Sequence, residues 1–131
     1  MYKIDSTISN IDKLMELMKK CAKEKVFVGE KGLLNLSDFR GYSMIFFREI
    51  NRLPECFYGE QDGLLDLDLI AGLSMSSRYD FAKAIISRSP HAKAYVKSYL
   101  EQYEGIVEKI HKLYQIIGQN SSSQDAFTEE L

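Results

Sequence analysis

The side chains best suited to chemistry are a group of carboxylates in the middle of the chain. Oxygen ligands of this kind suit a hard cation such as Ca²⁺ or Mg²⁺. Their spacing does not follow a calcium-binding loop, and helical positions two residues apart point to different sides. We therefore interpret the group as a solvated acidic turn and expect neither a metal nor a cofactor. The group comprises Glu60, Asp62, Asp66 and Asp68.

Histidines and cysteines are too few and too scattered to predict a catalytic centre. His91 and His111 lie twenty positions apart, about 30 Å along one straight helix, so they cannot share a metal or a proton. Cys21 and Cys56 belong to no CxxC pair, and we expect two reduced, buried thiols. The sequence contains no phosphate-binding glycine loop, zinc-protease motif or nucleophile elbow. We predict that the protein is not an enzyme and has no catalytic residue.

A basic stretch at 78–97 is the main candidate for binding. It contains five basic residues and a single carboxylate, Asp80. Its outline, a short helix, a Ser-Arg-Ser-Pro turn and the start of another helix, is similar to a helix-turn-helix. It lacks the Asn and Gln that read bases, and the whole chain carries a net charge of −2. DNA binding by a transcriptional regulator is therefore the second hypothesis. The cations are Arg78, Lys83, Arg88, Lys93 and Lys97.

The elements that position these residues are predicted to be helices. Apolar residues recur at steps of three and four from Ile4 to Ala22, which indicates a first amphipathic helix. Ser37 is a plausible N-cap for a second helix, which Pro54 ends. Residues 26–28 could be a short strand, and residues 64–70 fit either a strand or a helix. We favour a helix for 64–73.

Two further helices follow. Ser77 with Asp80 predicts a cap that opens a short helix, and Ser89 before Pro90 predicts the start of a long last helix. That helix is predicted to end near Gly118. Its apolar positions repeat every seven residues, which could indicate a coiled coil, but the flanking positions are also largely apolar. We therefore expect it to lie in the core of a bundle rather than in a free two-stranded zipper.

Length and composition agree with one soluble helical domain. The 131 residues are 45% hydrophobic and 27% charged, which argues against a disordered or membrane-spanning chain. We predict an all-α, single-domain bundle of four or five helices over residues 1–118, followed by a flexible polar tail at 119–131. We expect a cytoplasmic protein, because no secretory signal is apparent. Its lysine-rich composition is typical of many small bacterial or phage proteins.

The leading functional hypothesis is a small interaction protein: an adaptor, inhibitor, immunity or chaperone-like factor. It would bind a protein partner through a helical surface, and a homo-oligomer sharing the face of the last helix is a further alternative. Eight Tyr and seven Phe suggest aromatic anchors at an interface. The predicted partner-binding residues are Arg88, His91, Lys93, Tyr95, Lys97 and Tyr103.

Overall fold

The computed structural model describes residues 2–23 and 29–120. These residues form four α-helices and no strand, which confirms the all-α prediction with a long C-terminal helix. The predicted extended segment at 26–28 and positions 121–131 of the predicted tail lie outside the described residues. The helices are α1 (Tyr2–Lys23), α2 (Gly29–Ile50), α3 (Leu67–Ser87) and α4 (Ala92–Asn120).

The helices run antiparallel to their neighbours around one core. Each packs against the next along the chain, and α4 also packs against α1. Asp12 bonds to His111, whereas Lys19, further along α1, pairs with Glu104, which comes earlier in α4. These crossed pairs show that α1 and α4 run in opposite directions. None of the described helices is long and apolar enough to cross a membrane.

An aromatic cluster fills the centre of the bundle. The ring of Tyr103 lies 5.1 Å from that of Phe46 and 5.2 Å from that of Phe47, between centroids. Phe39 meets Phe81 edge to face at 5.2 Å. All five side chains are buried, and truncating a buried Phe to Ala commonly costs about 3–5 kcal/mol. The cluster therefore ties α2, α3 and α4 together.

The predicted stripes of the first and last helices are confirmed. On α1 the buried set includes Ile4, Ile8, Ile11, Met15 and Met18. On α4 the seven-residue repeat faces the core, as predicted for a bundle, and its buried members are Ala92, Val96, Tyr99, Tyr103, Ile110 and Leu113. The end of α4 was predicted near Gly118, but the helix continues to Asn120.

The connection between α2 and α3 is anchored by two buried side chains. A short 3₁₀ helix, Glu55–Phe57, buries Phe57, and Leu65 is buried beside it. The Leu65 amide donates to the Phe57 carbonyl at 2.8 Å, and the Gly59 amide donates to the Leu65 carbonyl at 3.0 Å. Gly63 adopts a φ of +91°, which favours glycine. These contacts fix the entry of the chain into α3.

The prediction of two helices between residues 64 and 87 is wrong, because α3 is continuous from Leu67 to Ser87. Ser77 is a fully buried residue in the middle of the helix rather than a cap. Its hydroxyl donates to the Ser74 carbonyl at 3.0 Å, and that of Ser76 donates to the Leu73 carbonyl at 3.2 Å. Serines that bond back along a helix do not have to end it.

The predicted start of α2 at Ser37 is also wrong. The helix already begins at Gly29, and Ser37 is an exposed interior position. Leu36, in the turn before Ser37, is buried in the core. Burial of Leu36 outweighs the capping preference of Ser37, because tertiary packing commonly overrides local propensity.

Candidate functional site

A row of large apolar side chains lies in solvent along α3. The exposed fractions are 71% for Leu69, 70% for Met75, 65% for Tyr79 and 83% for Ile86. We call Met75, Tyr79 and Ile86, which share one side of the helix, the α3 outer face, whereas Leu69 lies on its flank toward α4. Single exposed apolar residues are ordinary, but several on one helix form the kind of patch that marks a binding surface. This face is therefore the leading candidate for a functional site.

The outer face arises because α3 is apolar on two opposite sides. Ile70, Phe81 and Ala84 point into the core. Met75, Tyr79 and Ile86 follow one another at steps of four and seven, which keeps them on a single side of a helix with 3.6 residues per turn. One side of α3 therefore packs in the core of the bundle, and the other side is exposed to solvent.

Charged groups flank the outer face unevenly. Asp68 lies in the first turn of α3, and Lys83 lies near its end. The ammonium of Lys83 lies 5.9 Å from the centroid of the Tyr79 ring, within range of a cation–π contact. The N-terminal end of the face is therefore acidic and the C-terminal end basic.

Most of the predicted partner-binding residues lie where α3 turns into α4. Arg88 ends α3 in the left-handed conformation with a φ of +53°, and Ser89 Oγ accepts a hydrogen bond from the His91 amide at 3.1 Å. Arg88, His91, Lys93 and Lys97 are exposed. No described carboxylate lies within ion-pair distance of Arg88, Lys93 or Lys97. We call Arg88, His91, Lys93 and Lys97 the basic turn.

Tyr95 does not share a side of α4 with the lysines of the basic turn. It is exposed, but Lys93 and Lys97, four residues apart, lie on one flank of the helix while Tyr95 lies on the other. The basic turn therefore follows directly after Ile86, at the end of the α3 outer face, whereas Tyr95 lies apart from the lysines of the basic turn.

The prediction of Tyr103 as a surface anchor is wrong. Tyr103 is fully buried in the aromatic cluster, and its hydroxyl lies 2.7 Å from Ser43 Oγ. Burial raises the pKa of Tyr103 to about 12, against the opposing effect of hydrogen bonds from Ser43 and Ser77. Its position in the seven-residue repeat of α4 puts it in the core. Tyr103 therefore stabilises the bundle and cannot contact a partner directly.

A second tyrosine, Tyr99, forms a hydrogen bond with Asp80, the single carboxylate of the basic stretch. The Tyr99 hydroxyl donates a hydrogen bond to Asp80 Oδ2 and lies 3.3 Å from Ser76 Oγ. Burial, followed by the hydrogen bond to Asp80, raises the pKa of Tyr99. Asp80 is thus hydrogen-bonded to α4, and among the described residues it lies within ion-pair distance of none of the cations around it.

A groove of about 970 Å³ lies along α1 and α4. Asp12 Oδ1 and His111 Nε2 meet at 2.8 Å on this side of the bundle. Lys13, Lys20 and Lys23 line the groove together with Asp5 and Glu16. Carboxylates line the groove toward the start of α1 and lysines toward its end, so side chains of both signs face it.

Potential metal ligands and nucleophiles are dispersed over the described part of the chain. No three His, Cys, Asp or Glu side chains among these residues could hold one metal ion. Asp66 instead caps α3 by accepting from the amides of Asp68 at 3.0 Å and Leu69 at 3.2 Å. Cys56 is exposed rather than buried as predicted, since Phe57 takes the inward position of the 3₁₀ turn. Partial burial raises the pKa of Cys56, which disfavours the reactive thiolate.

No known protein family, curated protein or solved structure matches this chain.

The sequence did contain a signal for the α3 outer face that pattern reading missed. Gly72, Met75, Tyr79, Ala82 and Ile86 alternate at steps of three and four. A division of this region into two helices at Ser77 interrupts that series. An uninterrupted helix over 67–87 would have revealed two apolar sides, only one of which can face the bundle.

Proposed function

We propose that this protein is a small non-enzymatic interaction factor, of the adaptor, inhibitor, immunity or chaperone-like kind. It binds a protein partner through the α3 outer face, with the basic turn contacting the partner at one end. The observation that carries this proposal is the set of three large apolar side chains, each at least 65% exposed, on one side of a single helix. A cytoplasmic location is part of the proposal.

The shape of the surface favours a protein partner over a small molecule. Small-molecule sites are concave and enclose most of their ligand. The α3 outer face is the convex side of a helix, which fits a groove or a second helix in a partner. Anchors at helical spacing are the usual feature of this kind of recognition.

The magnitude of the apolar contribution suggests a reversible complex. Complete burial of one large apolar side chain contributes about 1.5–3 kcal/mol, so the three partly exposed ones of the outer face supply on the order of 3–6 kcal/mol. Association costs roughly 4–15 kcal/mol in lost motion. We therefore expect the outer face to need the flanking charges of the basic turn for specific binding.

Co-purification from cells of the source organism tests the proposal. Tagged wild-type protein should retain a defined protein, and Met75→Ser with Tyr79→Ser should lose it. The matched control is Leu17→Ser with Ile116→Ser, because both residues are exposed and apolar but lie outside α3. Retention of the same protein by the α3 variant would overturn the assignment of the outer face.

A second candidate function is nucleic-acid binding through the basic turn. It is favoured by the exposed cations of residues 78–97, which have no described carboxylate at ion-pair distance. α3 and α4 do not adopt the helix-turn-helix outline, because they pack side by side. Tyr99 of α4 lies beside Ser76 of α3, and the Lys109 ammonium bonds to the carbonyl of Leu64, just before α3. Contacts would therefore go to phosphates. A salt-dependent shift with generic DNA, lost on Arg88→Ala with Lys93→Ala, supports this function, and no binding at low salt contradicts it.

A further inference from the structure

We propose that the partner of the α3 outer face is a second copy of this chain, bound through antiparallel pairing of the two α3 helices. This inference rests on the proposed function, because it names the partner of the same surface. It is argued from the spacing of residues along the face and from the distribution of charge along α3.

The outer face has the spacing of a helix–helix seam. Its positions alternate at steps of four and three over about five helical turns, which is the a/d pattern of helices that pair along their length. All of these positions are exposed except Ala82, which is half-buried. We call them the α3 seam, which comprises the outer-face residues Met75, Tyr79 and Ile86 together with Asp68, Gly72 and Ala82.

The seam is self-complementary when it is turned end to end. In a two-fold pair centred between Met75 and Tyr79, Met75 of one copy lies opposite Tyr79 of the other, and Gly72 lies opposite Ala82. Large side chains then meet large ones at the centre, and small residues meet on either side of it. At each end Asp68 lies opposite Ile86, one helical turn from Lys83. Every contact occurs twice, as an isologous interface requires.

Charge selects the antiparallel over the parallel arrangement. The first half of α3 contains Asp68 and no basic residue, whereas the second half contains Arg78 and Lys83. The one carboxylate of the second half, Asp80, accepts a hydrogen bond from Tyr99. Antiparallel pairing brings the acidic half of one copy to the basic half of the other, and parallel pairing would bring like charges together.

The size of the seam sets the strength of the pairing. The 21 residues of α3 form a strip roughly 30 Å long and about 10 Å wide. That footprint is smaller than the roughly 800 Å² that each partner contributes to a stable interface. We therefore expect a weak dimer that forms only at high protein concentration rather than a permanent one.

Sedimentation equilibrium of the purified full chain over a concentration series tests the dimer. The average mass of wild type should rise with concentration from 15.1 kDa toward twice that value. Met75→Lys with Tyr79→Lys, checked for helicity by circular dichroism, should stay at 15.1 kDa. The matched control Ile116→Lys, on α4, should dimerise like wild type. A wild type that stays monomeric at every concentration overturns the inference.

Charge exchange tests the antiparallel arrangement. Asp68→Lys alone and Lys83→Asp alone should each weaken the dimer by about tenfold, because each dimer loses two opposite-charge pairs. The double variant should recover wild-type affinity. A parallel pair would respond to neither single change, and that result would overturn the proposed pairing.

The two levels of the proposal fail in different ways. If wild type is monomeric but Met75→Ser with Tyr79→Ser still loses a protein captured from cells, the second-copy inference is wrong and the interaction function stands. If the α3 variants change neither the mass nor the captured protein, both proposals are wrong.

Discussion

Tyr103 shows at the scale of one residue how a polar group is kept inside the bundle. Its ring packs among Phe39, Phe46 and Phe47, while its hydroxyl pairs with Ser43. A neutral phenol with a partner is tolerated in this setting, but a phenolate is not. This is the physical reason that burial raises its pKa to about 12.

Tyr103 should make the fold sensitive to alkali. Above pH 10 the unfolded chain releases the Tyr103 proton while the folded chain keeps it, so stability present below pH 10 is lost as the pH rises toward 12. At pH 11 the loss is roughly 1 kcal/mol. Tyr103→Phe removes this loss but costs about 1 kcal/mol of hydrogen bonding at pH 8.

Urea unfolding at pH 8 and pH 11 measures both effects. The stability difference between wild type and Tyr103→Phe should shrink toward zero at the higher pH. Tyr79→Phe, whose ring lies on the surface, serves as the control and should keep a constant difference from wild type. An unchanged gap for Tyr103→Phe would show that its burial does not govern the alkaline response.

At the scale of the element, α3 depends on its N-cap. Asp66 Oδ1 accepts from two amides of the first turn, so Asp66→Ala should reduce the free energy of unfolding by about 1 kcal/mol. Asp62→Ala removes an exposed carboxylate just before the helix and should change it by less than about 0.5 kcal/mol. Equal effects in urea denaturation would argue against the cap.

The inward-facing side of the same helix could not be predicted from the sequence. The helices α1 and α4 were predictable because each has one apolar side. In α1 this side buries Ile11 and Met18 in the core, and in α4 it buries Val96 and Ile110. In α3 both sides are apolar, so periodicity alone could not decide whether Phe81 or Tyr79 faces inward. Packing against α2 and α4 decides it.

At the scale of the molecule, the fold class was predictable from the sequence and the binding surface only in part. The cations Arg88, Lys93 and Lys97 were expected at the surface and are found there. Tyr103 was misplaced because an aromatic residue carries the same pattern whether it anchors a partner or a core. Exposure is a property of the assembled bundle, since it depends on which helices are neighbours.

The oxidation rate of Met75 by hydrogen peroxide tests the central claim most directly. Met75 is exposed, whereas Met15 and Met18 are buried and serve as internal controls. Mass spectrometry should show fast oxidation of Met75 in dilute purified protein and several-fold slower oxidation in the concentrated protein or in the complex isolated from cells. Equal Met75 rates in all of these states would contradict a binding role for the α3 outer face.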